Sequence, residues 1–243
     1  AIAACREGGG RVREAIKAYA ESRHRSPRAP MFWTAPAREA DIREARLGQK
    51  TTARKLRAER MGRYRRQSAP PDTAKRAAAS FTLAEIESDR AAYGKLRIVR
   101  PNLRNPRPFK KSLEAKAAAR DRLIRRYTAV VTDYRQAESS IAALNRIATL
   151  WTSFVDALVA VPCPRGLNAE ACFLFKNEIE TMAAPARESG LEAYGACVDK
   201  SRELGLFTAE STDCIEELER QGVLAPLVEK SAPIELPETT TPP

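Results

Sequence analysis

Five cysteines are the side chains of this 243-residue chain best suited to chemistry. Cys163, Cys172, Cys197 and Cys214 fall in the C-terminal third, while Cys5 stands alone. A structural zinc site draws on ligand pairs separated by about two to four residues. Here 8 and 16 residues intervene and no Cys-x-x-Cys occurs. Two readings remain: two disulfides, which form in oxidising compartments, or reduced, buried thiols. Acid–base chemistry has less to draw on. The single histidine, His24, lies among Arg23, Arg25 and Pro27 with no acid to orient it, and reads as an exposed residue at a helix end. Gly8-Gly9-Gly10 lacks the Lys-Ser/Thr of a phosphate loop and reads as a flexible joint. The neighbouring acids Glu178/Glu180 and Glu216/Glu217 point to different helical faces and make no acid–base pair. No catalytic, cofactor-binding or metal-ligating residue is assigned.

The remaining candidate is electrostatic. Arg43, Arg46, Lys50, Arg54 and Arg57 recur at spacings of 3, 4, 4 and 3, which sets them on one helical face, and Arg60, Arg63, Arg65 and Arg66 extend it. Such a face can follow a polyanion, with salt-sensitive affinity, or dock on an acidic partner. Its apolar complement is thin, since Ile42, Leu47, Leu56 and Met61 form no clean stripe. The plainer reading is a solvated helix with partners such as Asp41 and Glu59. No recognised DNA- or RNA-binding motif accompanies it, so nucleic acid is the disfavoured partner and an acidic face, in the same molecule or on a partner protein, the favoured one.

Charge divides the chain. Residues 1–126 carry 33 basic and 13 acidic side chains, a net +20, and residues 127–243 carry 9 and 18, a net −9. With 43% hydrophobic and 30% charged residues, the composition is that of a globular protein with a real core. No apolar run approaches the ~20 residues needed to span a bilayer as a helix. The sequence begins Ala1-Ile2-Ala3-Ala4-Cys5, without an initiator Met or a signal peptide, so it reads as mature or cut from something longer.

The elements that must position these residues are helices. A first helix is expected from Arg11 to about Arg25, and a Pro-rich joint closes a segment 1–35. Ala35-Pro36 opens a long Ala/Arg/Glu run to about Gln67, a rod of roughly 45 Å if unbroken. Ala69-Pro70-Pro71 ends it, with Asp72 as N-cap of a helix carrying Phe81, Leu83, Ile86, Tyr93 and Leu96. A Pro/Asn loop from Arg100 to Pro108 closes this basic segment, 36–109. Leu113, Ala117, Ile124, Tyr127, Val131 and Tyr134 then form one apolar stripe, and Ile141, Leu144, Ala148, Trp151, Val155 and Leu158 another. Arg135 to Ser140 joins them as an antiparallel hairpin. Val161 to Leu167 is a hard stop, and Asn168 caps a helix holding Cys172, Phe175, Ile179 and Met182 that ends near Pro185. A further helix holds Leu191, Tyr194 and Val198 up to Gly205, and a last one holds Cys214, Ile215 and Leu218 up to Gly222. The aromatics Tyr127, Tyr134, Trp151, Phe154 and Tyr194 sit at core spacing. The segment 223–243 is a Pro/Thr-rich tail expected to be disordered. No segment reads as a strand. The result is an all-α stack of antiparallel helix hairpins, those of 110–222 at roughly solenoid spacing.

Residues 159–218 resemble the C-terminal helical part of large tetratricopeptide-repeat proteins of myxobacteria and related bacteria, some described as adventurous gliding-motility proteins. A Pro-x-Pro-x-Gly-Leu turn (Pro162 to Leu167), a helix ending at Ala184-Pro185, an Ala-Tyr-x-x-Cys helix (Ala193 to Cys197) and a Leu-Gly-x-Phe turn (Leu204 to Phe207) carry the likeness. Residues 78–96 and 127–158 resemble the same proteins more loosely. The usual aromatic after the last turn is absent, Thr208 to Ser211 standing there, and arginines over 38–66 replace the usual lysine-rich acidic surface. The resemblance implies a right-handed tetratricopeptide-like solenoid, a non-enzymatic protein-binding scaffold of the periplasm or outer-membrane face, and membership of a gliding-motility or other envelope complex. It implies canonical repeats upstream and no cofactor.

Hairpin geometry bears on the cysteines. Cys197 and Cys214 have their midpoint inside the Gly205 to Thr208 turn, each about two helical turns away, within reach of the ~5.5–6 Å between Cα atoms that a disulfide prefers. Cys163 and Cys172 flank the Pro164 to Asn168 turn, so the chain can fold back to join them. The resembling family carries cysteines in the same turn and helix, which adds to this pairing. Cys5 is left as a free thiol or pairs elsewhere.

Overall fold

The computed structural model describes residues 11–22 and 30–223, with side chains from residue 32 in the second stretch. Cys5, His24, the Gly8 to Gly10 joint and the Pro/Thr-rich tail lie outside the described residues. Among those described, every regular element is a helix: α1 (Val12–Ser22), α2 (Pro30–Leu47), α3 (Lys50–Arg65), α4 (Asp72–Lys95), α5 (Arg107–Ala129), a π turn (Val130–Tyr134), α6 (Ala137–Val159), α7 (Ala169–Leu204) and α8 (Ala209–Arg220). The all-α expectation holds.

Four boundaries differ from the sequence reading. The expected rod from Pro36 to Gln67 is two helices, because Gly48 takes φ +64°, a left-handed backbone that ends α2. Gln49 N–H then donates to the Arg43 carbonyl at 2.8 Å, and α3 turns back along α2. Pro36 does not open that helix but sits buried within it. Pro185 likewise lies inside α7, which runs 36 residues without stopping. Its missing N–H takes one hydrogen bond from the helix interior, a loss that packing on both sides outweighs. Finally, Pro71 takes the N-cap position of α4 and Asp72 lies in the first turn.

Other punctuation works as expected. Asn168 Oδ1 accepts from Ala171 N–H at 2.8 Å and starts α7. Gly205, at φ +60°, closes α7 in a Schellman motif: its N–H donates to Arg202 and that of Leu206 to Ser201. Thr208 and Ser211 exchange side-chain and backbone hydrogen bonds as a capping box that starts α8.

The core is a row of clusters strung along the chain. Ala15, Ile16 and Tyr19 of α1 pack on Ala35 and Ile42 of α2. Phe32, Trp33, Met61, Ala74, Ala78 and Phe81 tie α2 and α3 to α4. Ile86, Tyr93, Leu123, Tyr127, Val130 and Leu150 tie α4 and α5 to α6. Leu158, Ile179, Ala183 and Ala186 seat α7 on α6, and Ile141, Tyr194, Val198 and Leu218 join both to α8. Each helix thus packs on the next along the chain, and the even-numbered helices α2, α4, α6 and α8 also pack on one another in turn. At Gly190 α7 comes close to α6, where an added Cβ would stand 3.3 Å from Trp151 Cβ.

Candidate interaction surfaces

The arginine face is assembled differently from the sequence expectation. Gly48 separates Arg43 and Arg46, on α2, from Lys50, Arg54 and Arg57, on α3. The hairpin turns part of the stripe inward. Arg43 Nε donates to the fully buried Glu39 at 2.8 Å and its Nη1 to Gln49 at 2.8 Å. Arg57 reaches from α3 to Glu44 at 2.5 Å and Asp41 at 2.9 Å on α2. Burial works against its charge, but these two acids outweigh burial and hold the guanidinium above its ordinary range. Lys50 and Arg54 remain exposed and line, with Glu44, Arg57, Asp89 and Arg126, a mixed-charge cleft of about 600 Å³. Two of the five cations are therefore spent on holding the α2–α3 hairpin. Farther along, Arg60 lies buried over Phe32, 4.4 Å from the ring centroid, as a core residue.

Two more buried cations escape a reading of apolar stripes. On α5 the buried row is Lys116, Ala119, Arg120, Leu123 and Tyr127. Lys116 Nζ sits 4.2 Å from the Tyr93 ring centroid and donates to the Leu96 carbonyl at 3.0 Å. Burial, with the nearby charge of Arg97, lowers its pKa. Arg120 stacks 3.8 Å from the Trp151 centroid and 4.3 Å from that of Phe154, and pairs with Asp121. Sequence spacing placed Leu113, Ala117 and Ile124 on the stripe, but these are only half-buried beside it. A cation at a core position is legible only when the aromatic faces it meets, on other helices, are known.

Glu87 on α4 joins three elements. Its Oε1 accepts from Tyr127 Oη at 2.9 Å and Arg146 Nε at 3.2 Å, and its Oε2 from Arg90 at 2.8 Å. Burial alone would raise the carboxyl pKa; the bonds from Arg90 and Tyr127 and the charges of Arg90 and Arg146 carry it below the usual value. Burial and the facing Glu87 push the Tyr127 phenol far above its ordinary range, and burial pushes Tyr93 up to about 12. These networks tie α4 to α5 and α6. Among the described residues no group of His, Cys, Asp and Glu is arranged to hold a metal ion.

The cysteines meet as the turns require. Cys197 and Cys214 have Cα atoms 6.4 Å apart across the α7–α8 hairpin, and Cys163 and Cys172 are 5.6 Å apart across the turn before α7. Both pairs are at disulfide distance. The first is fully buried among Ile141, Tyr194 and Leu218, while the second is half-exposed. Asn145 on α6 donates to the Glu210 carbonyl at 3.1 Å and contacts Cys214 Sγ at 3.4 Å, docking the bonded hairpin. Lys176 donates to the Val159 and Val161 carbonyls at 3.0 and 2.6 Å, tying α7 to the last turn of α6.

Two surface features carry no sequence signal of their own. Phe173 and Leu174, 64% and 61% exposed, project from the first turns of α7 beside the half-exposed disulfide. A groove of about 500 Å³ between α4 and α5 has Tyr93, Ala119 and Leu123 in its floor and Leu96 and Arg122 on its sides. No described helix is long and apolar enough to cross a membrane. Compared with protein-family models, curated proteins and solved structures, the chain matches none of them.

Proposed function

We propose that the chain is a non-enzymatic protein-binding scaffold of the bacterial cell envelope, built as a tetratricopeptide-like helical stack and belonging to a gliding-motility or similar complex in the periplasm or at the outer-membrane face. The observation that carries this reading is the pair of cysteine bridges that tie the turns on either side of α7, since such bonds form and persist in oxidising compartments. Packing of each helix on the next, with α2, α4, α6 and α8 also packed on one another in turn, supports the solenoid reading, because stacked repeats contact only near neighbours. Exposed apolar side chains on rigid helices support partner binding in place of chemistry. The polyanion-binding alternative loses ground to the internal pairing of Arg43 and Arg57, which leaves an acidic protein face the better fit.

The test is in the native cell. A photo-crosslinking residue at Phe173 or Leu174, in the protein made by its native cell, should join discrete envelope proteins and should do so only with the cysteines oxidised. A chain found in the cytosolic fraction with all thiols free to alkylation would refute the envelope reading. Oxidised chain that crosslinks to nothing discrete would refute the scaffold reading.

A further inference from the structure

Exposed large apolar side chains on α7 are bordered by carboxylates, and an apolar groove on α4 and α5 is bordered by cations. Phe173 and Leu174 stand on the outer face of α7, with exposed Glu170 and Glu178 one helical turn to either side of Leu174. The Asn168 cap and the Cys163–Cys172 bridge fix this knob at the helix start, so little conformational freedom is left to lose on docking. The groove has the converse chemistry. Its floor is apolar, Arg122 rises beside it, and Lys95 and Arg97 flank the half-exposed Leu96 in the chain. No ion pair is seen for Lys95, Arg97 or Arg122 among the described residues, and the groove's one acid, Asp89, is already bonded to Arg126.

We propose that the Phe173–Leu174 knob of one molecule docks in the α4–α5 groove of a second copy of this chain, with Glu170 and Glu178 facing Arg122, Lys95 and Arg97. The occupant is chosen by charge. An apolar knob between carboxylates suits an apolar slot lined by Arg122, with Lys95 and Arg97 beside Leu96 in the chain, and the same chain supplies both. The groove volume of about 500 Å³ is within the range of ligand-binding pockets. Knob and groove are distinct patches, so a contact made in one direction is heterologous: each pair keeps one free knob and one free groove, and association continues head to tail, whereas a reciprocal exchange would close as a two-fold dimer. This inference rests on the two surfaces alone and not on the envelope reading.

The experiment is sedimentation velocity on the oxidised chain and two variants, Phe173→Ser/Leu174→Ser and Leu96→Ser/Arg122→Glu. All four positions are at least partly exposed, and circular dichroism checks that each variant keeps its helices. The unaltered chain should grow in average mass over about 1–300 µM, and each variant should associate at least ~30-fold more weakly, as for loss of an interface hot spot. Mixed in equal amounts, the variants should form a species of two chains and nothing larger, because one supplies the intact groove and the other the intact knob. An unaltered chain that stays monomeric over the whole range overturns the proposal and leaves the partner-binding reading standing. So do variants that associate like the parent, or a mixture in which no two-chain species forms.

Discussion

Removing the Cys197–Cys214 bridge tests the α7–α8 hairpin directly. The two cysteines are separated by 17 residues, and closing a loop of that length restricts the unfolded chain by about 3 kcal/mol in the chain-entropy model. Both sulfurs are fully buried, so Cys197→Ala/Cys214→Ala adds a small cavity term of about 1 kcal/mol. The variant should therefore lose about 3–4 kcal/mol, against about 3 kcal/mol for simple reduction of the parent chain. Urea unfolding followed by circular dichroism reads this as a midpoint lowered by about 1–2 M for an ordinary slope. Hydrogen exchange should localise the loss to the C-terminal half of α7 and to α8, leaving α2 to α4 protected as before. Equal midpoints for the oxidised parent, the reduced parent and the variant would refute the reasoning. So would a loss of protection spread evenly over the chain.

Three further outcomes are expected. Glu87→Gln should lower the melting temperature at pH 7 but much less at pH 3: the folded pKa lies below the unfolded one, so the carboxylate's contribution is complete above pH 4.5 and fades as pH falls through the folded value. An equal effect at both pH values would contradict the assignment. Lys176→Met removes the donor that serves the Val159 and Val161 carbonyls and should cost about 1–3 kcal/mol in thermal or urea unfolding. Gly190→Val forces side-chain atoms against Trp151 and should cost about 1–3 kcal/mol, with a shifted Trp151 emission reporting the displaced helix contact.

The helices themselves were legible because their apolar stripes and stops are local. The helix from Ile141 to Leu158, the Asn168 cap and the Gly205 and Gly222 ends needed no tertiary information, and the two cysteine pairings follow from where those turns fall. The errors came where a local signal competes with long-range packing. Pro185 and Pro36 read as ends, but the helices run through them because Ala183 and Ala186, or Phe32 and Trp33, are held on neighbouring helices. Gly48 was the reverse case: one small residue amid good helix formers, yet the hinge on which α3 folds back to offer Arg57 to Asp41 and Glu44. That refolding decided the fate of the arginine face. Lys116 and Arg120 were missed because charge marks a residue as outward-facing until its aromatic partners are in view. The knob and groove depend on which apolar residues are left uncovered, and only the packed structure answers that.

A row of cores linked only to near neighbours also sets how the molecule responds to load. Tension between the two ends would pass through the clusters one after another, so the weakest would yield first while the others held. At the C-terminal end the covalent cross-links withhold the stretches 163–172 and 197–214 from extension, since force bypasses a closed loop. The N-terminal hairpin, pinned by arginines on acids and aromatic rings, has no such clamp among the described residues. The chain is thus graded, with a yielding end and a locked end. Forced extension should release the α1–α3 region in early, small steps, and its total contour length should grow measurably once a reductant opens the two loops.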